Sequence, residues 1–380
     1  MKRRLFVLGA ALMAVVIPAS QVGAGPVSIP SQPLEGLTPV SPPEVTAEAW
    51  LLWDDTFERE LGSVLPDQAR AMASTTKMMT ALVALATHDL DERVRISAKA
   101  TAIGESEIDL VAGEVWRLED LIRALLIRSA NDAALAIAEH VGGSEAQFVR
   151  MMNDKAAELG LQNTHFMNPH GLDEEGHYSS ARDLLSIARA GMEDVTFAEF
   201  VGTRSSTFPS SPTGEERVAA TTNALLSTFE GAIGIKTGYT AEAGLTIVSA
   251  AERDGRRLYA VVMGSSDHFA DAAALLRYGF DAFGLLSVIA EGEPIASQRG
   301  PDGVSDAVAI TDLNYFASAT DDVDLVLGIS EEGAPIVVAE LGEEEIGRVA
   351  LDVADPQPLP GIGEAFAWAS AYWDWLWGND

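Results

Sequence analysis

The pattern of apolar and polar positions predicts strands near both ends of the main part of the chain and helices between them. Residues 47–53, 244–250 and 257–264 are β-prone, and Asp254-Gly255 between the last two is a hairpin signal. Helical spacing of apolar residues occupies five stretches: 75–86, 118–127, 133–141, 147–159 and 270–283. Strands set apart from a central group of helices indicate an α+β fold with an antiparallel sheet, not a wound parallel sheet.

The terminal regions predict further segments around a large domain at 46–286. Lys2-Arg3-Arg4, the short apolar run 5–19 and the small residues Val22-Gly23-Ala24 predict an export signal at 1–24, with an uncleaved anchor as the alternative. Six prolines predict an extended linker at 25–45. Short β-prone runs between acidic turns predict a small all-β domain at 287–358.

The last segment, 359–380, is an aromatic, roughly amphipathic tail. It holds four of the seven tryptophans, and its apolar stretch is too short to span a bilayer. Tryptophan and tyrosine favour the membrane interface, so we expect peripheral membrane contact here. The alternative is that the tail packs against its own domain, since it lacks the basic face that interfacial helices usually carry.

Composition excludes several classes of function. The formal net charge of −32 repels phosphate backbones, so nucleic-acid binding is not expected. The chain has no cysteine, which excludes disulfides, thiol catalysis and cysteine-ligated zinc. What remains is an acidic, exported protein with a core of ordinary size.

Three short motifs follow one another along the large domain: Ser74-Thr75-Thr76-Lys77, Ser129-Ala130-Asn131 and Lys236-Thr237-Gly238. Each is weak alone because short motifs recur by chance. Their weight comes from the scarcity of lysine: the chain has five, and two of them, Lys77 and Lys236, fall inside these motifs. Unlike arginine, a lysine can be made neutral by burial or by a neighbouring positive charge, which lets it act as a base.

The first motif has the parts for attack on an amide. Ser74 stands at the first turn of the predicted helix 75–86, and Lys77, three residues on, lies on the same face. Ser74 supplies a hydroxyl, and a neutral Lys77 can take its proton. Burial and the charge of Lys236 would both lower the pKa of Lys77. The simpler alternative is a helix cap followed by a solvated lysine.

The other two motifs supply the remaining parts of such a site. Ser129 lies in the joint between two predicted helices, where it can pass a proton to a departing amine, and Asn131 can hold Lys77 and a substrate amide. Lys236 and Thr237 offer a cation and a hydroxyl to a carboxylate, and Gly238 lets a substrate backbone pair closely.

Together the motifs resemble those of the active-site serine penicillin-binding proteins and β-lactamases. The closer similarity is to the serine-type D-alanyl-D-alanine carboxypeptidases, which are low-molecular-mass penicillin-binding proteins of peptidase family S11. The segments that carry it lie between about residues 46 and 285: ASTTKMMTAL at 73–82, HGLD at 170–173, GHYSSARD at 176–183, GIKTGYT at 234–240 and AG at 243–244.

This resemblance implies a β-lactamase/transpeptidase-like catalytic domain, an antiparallel sheet with a helical subdomain, followed by a small all-β domain. It implies that Ser74 is the acylated nucleophile and Lys77 its base, and that Ser129 and Asn131 complete the proton path. The substrate-binding residues would be Lys236, Thr237, Gly238 and Tyr239, and the backbone N–H groups of Ser74 and Tyr239 would form the oxyanion hole. No metal or cofactor is implied.

The activity implied by the resemblance is removal of the terminal D-alanine from peptidoglycan pentapeptide stems through an acyl-enzyme. β-Lactam antibiotics would acylate the same serine. Such an enzyme acts in the cell envelope, on the periplasmic or extracytoplasmic face of the membrane, where the family's second domain and amphipathic tail hold it. The stem-peptide type stays open.

One departure from the family concerns the substrate carboxylate. The family often has an arginine near the phenylalanine before the closing helix, whereas this chain reads Ser-Asp-His-Phe-Ala-Asp at 266–271. Carboxylate recognition would then rest on Lys236 and Thr237 alone, or on Arg204 arriving from elsewhere.

Three rival readings remain. A β-lactamase would use a loop glutamate, Glu174 or Glu175, to activate water; a peptidoglycan endopeptidase would share the fold; a non-catalytic wall-binding protein would keep the fold without turnover. His165, His170 and His177 raise the question of a metal, but their spacing fits no helical zinc pattern, and we expect loop hydrogen bonds instead.

Overall fold

The computed structural model describes residues 16–18, 27–29, 37, 40–210, 212–300 and 303–353. The predicted tail 359–380 and most of the predicted export signal and linker lie outside these residues. The α-helices are α1 (Lys77–Thr87), α2 (Leu118–Ile127), α3 (Asn131–Gly142), α4 (Glu145–Glu158), α5 (Ala181–Met192), α6 (Val195–Gly202), α7 (Leu225–Thr228) and α8 (His268–Ala282). Short 3₁₀ turns cover Ala73–Thr76 and Ala100–Ala102.

The strands, in chain order, are β1 (Val16–Pro18), β2 (Val27–Ile29), β3 (Ala49–Asp54), β4 (Arg59–Val64), β5 (Arg93–Arg95), β6 (Val115–Arg117), β7 (Ser205–Phe208), β8 (Arg217–Ala220), β9 (Ala232–Thr240), β10 (Gly244–Arg253), β11 (Arg256–Ser265), β12 (Phe283–Ile289), β13 (Pro294–Gly300), β14 (Gly303–Ala309), β15 (Leu313–Ser318), β16 (Val323–Ile329), β17 (Pro335–Leu341) and β18 (Glu344–Val353). The chain forms two compact units: a larger one of residues 40–281, and a smaller one that combines the described residues before 40 with those after 281.

The larger unit, residues 40–281, is built on a five-stranded antiparallel sheet in the order β4-β3-β11-β10-β9. The predicted hairpin is confirmed: Asp254 and Gly255 both have positive φ and connect β10 to β11, with Arg253 opposite Arg256. Strand β9 lies at one edge of this sheet.

The two faces of the sheet bury different helices because side chains alternate along each strand. Tyr259, Val261 and Met263 of β11 belong to a large apolar cluster that also contains the buried residues of α1 to α6. Their neighbours Leu258, Ala260 and Val262 belong to a second cluster with the apolar face of α8. The predicted α+β architecture is therefore observed, with the sheet between two helical layers.

Strand β4 is an element that the sequence did not predict. Its residues Arg59–Val64 are mostly exposed or half-buried, and it forms the other edge of the sheet beside β3. An edge strand with one solvated side lacks the apolar alternation that identifies buried strands from sequence. The strand pairs β5–β6 and β7–β8 are also hard to identify from the sequence, because strands of three and four residues are too short to show an alternating pattern.

The smaller unit comprises β1, β2, residue 37 and residues 282–353. Its main sheet has seven strands in the order β1-β13-β14-β18-β17-β16-β2, and β12 pairs with β15 in a separate sheet. Ile289, Ile295, Val337, Val349 and Leu351 are among its buried core. The all-β region is thus observed, while the domain boundaries inferred from sequence stay predictions. In the part of the chain that the structure describes, from residue 16 to 353 with the gaps given above, no helix is long and apolar enough to cross a membrane.

Candidate active site

Ser74 lies in a 3₁₀ turn that runs directly into α1. The turn is held by two threonine side chains: Thr75 Oγ1 donates to Met72 O at 2.6 Å, and Thr76 Oγ1 donates to Ala73 O at 2.8 Å. Ala73 has a φ of +48°, a left-handed conformation that is costly for any residue with a Cβ. Such local strain, maintained by surrounding bonds, is common at functional sites.

Lys77, the first residue of α1, is fully buried behind Ser74. Its Nζ lies 2.8 Å from Ser74 Oγ and donates to His170 O at 2.5 Å. Burial lowers the pKa of Lys77 well below its usual 10.5, and the charge of Lys236 lowers it further, while Glu105 and Asp132 act in the opposite direction. A neutral Lys77 in contact with the Ser74 hydroxyl has the geometry of a base beside its nucleophile.

Ser129 and Lys236 form a second lysine–serine contact. Lys236 Nζ donates to Ser129 Oγ at 2.9 Å and to Thr237 O at 2.9 Å. Ser129, in the joint between α2 and α3, has a φ of +66°, which directs the turn into the site. Burial lowers the pKa of Lys236 to about 7, so this lysine is only partly charged at neutral pH in the empty site.

Asn131, at the start of α3, has a different contact from the one expected. Its Nδ2 donates to Gly104 O at 3.0 Å, and its Oδ1 is buried without a hydrogen-bond partner among the described residues. The expected bond between Asn131 and Lys77 is not formed in the structure, where Lys77 Nζ contacts Ser74 Oγ and His170 O.

Strand β9 carries the third motif past the nucleophile turn. Thr237 Oγ1 is 2.7 Å from Thr222 Oγ1. A Cβ on Gly238 would lie 2.9 Å from Ser74 N and 3.0 Å from Ala73 Cβ, so only glycine permits this approach. Tyr239 pairs with Leu245 of β10 through its backbone, while its side chain is 64% exposed.

The loop at 162–178 packs against the nucleophile turn. Met167 N–H donates to His177 Nδ1 at 3.0 Å, which leaves the proton of the neutral ring on Nε2, 2.8 Å from Thr76 Oγ1. Burial lowers the pKa of His177 to about 4 and that of His170 to about 3, so both rings are neutral at neutral pH. These histidines make the expected loop hydrogen bonds; no group of three or more metal-type ligands occurs among residues 40–210, 212–300 and 303–353.

These elements enclose a cavity of about 310 Å³. Six of the eight predicted site residues line it, namely Ser74, Ser129, Asn131, Thr237, Gly238 and Tyr239, while Lys77 and Lys236 are buried behind their serines. The two loop glutamates do not line the cavity: both are exposed, and Glu174 accepts from Asn168 Nδ2 at 3.1 Å. Arg204 is exposed and does not line it either.

Four further contributors were not identified from the sequence. Thr222, Glu105 and His268 line the cavity, and the carbonyl of His170 holds Lys77. A single threonine or glutamate outside a motif gives no sequence signal, and any residue type supplies a carbonyl. His268 did stand in the segment where an arginine was expected, and that departure was the available clue.

Comparison with known proteins gives one consistent result. The family model of the D-alanyl-D-alanine carboxypeptidases (peptidase S11) matches residues 37–267. D-alanyl-D-alanine carboxypeptidase DacD of Salmonella typhimurium is 33% identical over 374 residues, covering 92% of this chain and 90% of that protein. DacF of Bacillus subtilis is 34% identical over 267 residues, covering 67% of this chain and 68% of that one. The Streptomyces K15 DD-transpeptidase structure has a TM-score of 0.61 at 33% identity, covering 63% of this chain and 99% of that one.

Proposed function

Because the chain belongs to the D-alanyl-D-alanine carboxypeptidase family and is a serine-type enzyme of that class, we propose that it removes the terminal D-alanine of peptidoglycan pentapeptide stems through an acyl-enzyme on Ser74. One observation carries the proposal. The Ser74 hydroxyl, which lines a cavity of about 310 Å³, is 2.8 Å from the amine of a buried lysine whose pKa is lowered.

In acylation, Ser74 Oγ attacks the carbonyl carbon of the penultimate D-alanine, and neutral Lys77 takes the hydroxyl proton. The backbone N–H groups of Ser74 and Tyr239 stabilise the oxyanion. The C–N bond then breaks, and the proton taken up by Lys77 is relayed to the departing D-alanine amine through Ser129, whose Oγ is 2.9 Å from Lys236 Nζ, so Lys77 is neutral again. In the second half, water attacks the ester carbonyl and gives a proton to Lys77, which returns it to Ser74 Oγ as the ester C–O bond breaks.

Two features suit the cavity to a peptide with a free carboxylate. Strand β9 is a sheet edge, so an extended peptide can pair with its backbone as an added strand. Thr237 then faces the terminal carboxylate with Lys236 behind it, and the bound anion raises the pKa of Lys236 above about 7. Asn131 lines the cavity and offers its side-chain amide to the substrate.

A β-lactam presents a strained amide and a carboxylate to the same groups, so we expect it to acylate Ser74. A β-lactamase would also need a group that activates water rapidly. Since Glu174 and Glu175 are exposed and outside the cavity lining, we expect a long-lived adduct in place of fast turnover.

The test combines intact-protein mass with product release. After penicillin treatment, we expect one stable adduct on the enzyme and none on Ser74→Ala, and we expect D-alanine release from a diacyl-lysyl-D-Ala-D-Ala peptide. Rapid penicillin turnover would instead indicate a β-lactamase, and neither adduct nor release would indicate a non-catalytic wall-binding protein. Release of cross-linked stem products would indicate endopeptidase activity.

We propose further that the chain is exported and acts in the cell envelope, with peripheral membrane contact through residues 359–380. The support is the basic start followed by an apolar run, the extracytoplasmic position of peptidoglycan, and the tryptophan-rich tail. The N-terminal sequence of protein from the envelope fraction tests cleavage after Ala24. Vesicle flotation of the full chain and of a chain truncated at 358 tests the membrane contact.

A further inference from the structure

His268 is a buried titratable group that the proposed mechanism does not use. It is the first residue of α8, is 8% exposed, and lines the cavity together with Phe269. Its ring packs on that of Phe269, with centroids 3.9 Å apart and an interplanar angle of 34°. Its Nδ1 is buried and has no hydrogen-bond partner among the described residues.

His177, another buried histidine beside the site, differs from His268 in this respect. Both ring nitrogens of His177 have partners, Met167 N–H and Thr76 Oγ1. Buried polar atoms are nearly always hydrogen-bonded, because an unpaired one costs roughly 1–3 kcal/mol. Because Nδ1 is closed to solvent, a ligand in the cavity would meet the ring at Nε2, which is not closed off and has no hydrogen bond among the described residues.

The acids near His268 are occupied by other groups. Asp271 accepts from Ser265 Oγ at 2.6 Å and from the Thr46 backbone and hydroxyl, and Asp267 Oδ1 accepts from Ala270 N–H at 3.1 Å. Burial lowers the pKa of His268, and the charges of Asp267 and Asp271 offset this only in part.

The other ionisable residues that line the cavity are Glu105 and Tyr239, and the partly charged Lys236 and Lys77 lie behind Ser129 and Ser74. With its pKa held below the usual value, the His268 ring is neutral at neutral pH. A carboxylate arriving there would therefore meet a donor that is not yet charged.

We propose that His268 binds the terminal carboxylate of the substrate and takes up a proton as it does so, in place of the arginine that residues 266–271 lack. This rests on the proposed function, since it concerns the same substrate and cavity. A carboxylate only accepts hydrogen bonds, so it needs an imidazole N–H, and it favours the imidazolium, which has two. The partial positive charge at the N-terminus of α8 also attracts the carboxylate, while it disfavours the imidazolium until the carboxylate is bound.

The consequence is that carboxylate recognition depends on pH. A nearby carboxylate raises the pKa of His268, so binding takes up a proton over the interval between its free and bound pKa values. Affinity for a carboxylate substrate therefore falls as pH rises through that interval. An arginine in its place would be charged throughout.

The test measures kcat/KM for an acyl-D-Ala-D-Ala peptide and for the same peptide with a C-terminal carboxamide, from pH 5.5 to 8.5. The readout is kcat/KM for the carboxylate peptide divided by kcat/KM for the carboxamide peptide. A loss of folded enzyme lowers both values equally and cancels in this ratio. We compare the unsubstituted enzyme with His268→Gln and His268→Arg. Lys236 titrates in all three enzymes, so its contribution is common to them.

We expect the ratio to be about 10- to 100-fold lower in His268→Gln at pH 5.5, which corresponds to loss of a charge-assisted hydrogen bond. We expect His268→Arg to restore the ratio and to remove the part of its decline with pH that is due to His268. A His268→Gln ratio equal to that of the unsubstituted enzyme at every pH would overturn this inference alone. Release from neither peptide by the unsubstituted enzyme would overturn the proposed function and this inference with it.

Discussion

Two sides of the cavity differ in how their polar groups are satisfied. On the lysine side, which comprises Ser74, Lys77, Ser129 and Lys236, each lysine contacts its serine and a backbone carbonyl, at 2.5–2.9 Å. On the open side, which comprises Asn131 and His268, each residue has a buried polar atom without a partner in the part of the chain described.

Under the proposed function, the lysine side carries out proton transfer and the open side recognises substrate, while Lys236 takes part in both. Groups that move protons are positioned before substrate arrives, so little reorganisation is needed at the moment of reaction. Groups that recognise substrate are left unpaired, so the binding free energy includes bonds that the empty protein lacks. The lysine side should therefore tolerate no change in its contacts, whereas the open side should gain stability when its polar atoms are removed.

The largest effect is expected from Lys77→Met, which removes the base but keeps an unbranched side chain in the apolar space. Acylation by labelled penicillin should slow by about 10²- to 10⁴-fold, the usual contribution of a positioned base. Lys155→Met, the same change at a half-buried lysine on α4 paired with Glu158, is the matched control and should acylate normally. Rapid acylation of Lys77→Met would show that Lys77 is not the base.

The second prediction concerns the loop that packs on the nucleophile turn. Gly171 and Gly176 have φ of +88° and +87°, so an alanine at either costs about 1–2 kcal/mol in conformational strain. A Cβ at Gly171 would also lie 2.1 Å from Ala73 O, whereas at Gly176 its nearest neighbour would be Met167 Sδ at 3.6 Å. Gly171→Ala should lower both Tm and acylation rate far more than Gly176→Ala. Equal losses would mean that the loop does not support the turn.

The third prediction uses the buried amine of Lys236. Its pKa is about 7 in the folded protein and near 10.5 when unfolded, so between these values the unfolded chain binds more protons. Stability then rises with pH, by up to about 1.4 kcal/mol per pH unit from this group. Lys236→Met should remove that slope between pH 7 and 9 in denaturant titrations. An unchanged slope would show that the lysine side does not bury a neutralised amine.

The smallest effect tests the open side. His268→Phe keeps the ring contact with Phe269 but removes the unpaired nitrogen, so unfolding free energy should rise by about 1 kcal/mol, or about 2–4 °C in Tm. The matched control is His177→Phe, which breaks two existing bonds and should lower Tm. An equal loss of stability in both variants would show that the unpaired Nδ1 of His268 does not destabilise the folded protein.

Much of this arrangement could be predicted from the sequence. Helix α2 coincides with the predicted range 118–127, and Ser129 falls in the predicted joint. The nucleophile segment and the β9 motif combine residue types that the chemistry requires at fixed spacing, which is why six of eight predicted residues line one cavity. Local sequence is sufficient to predict a site residue where its motif lies within or directly beside one predicted helix or strand.

The remainder depends on contacts between distant segments. Lys77 bonds the carbonyl of His170 instead of Asn131, and a carbonyl has no signature in the sequence. Likewise, the sequence showed that an arginine was absent near Phe269, but only packing shows that His268 lines the cavity with an unpaired nitrogen. Hydrogen-bond partners are selected by tertiary packing, which residue type alone does not specify.

The open edge of β9 also affects how copies of this protein meet each other. A sheet edge that accepts a peptide strand exposes the same backbone groups to the edge strand of another copy, which is the usual start of edge-to-edge aggregation. The net charge of −32 opposes this by long-range repulsion. Salt screens that repulsion, so the colloidal stability of the free enzyme should decline with ionic strength, and a ligand seated along β9 should protect it.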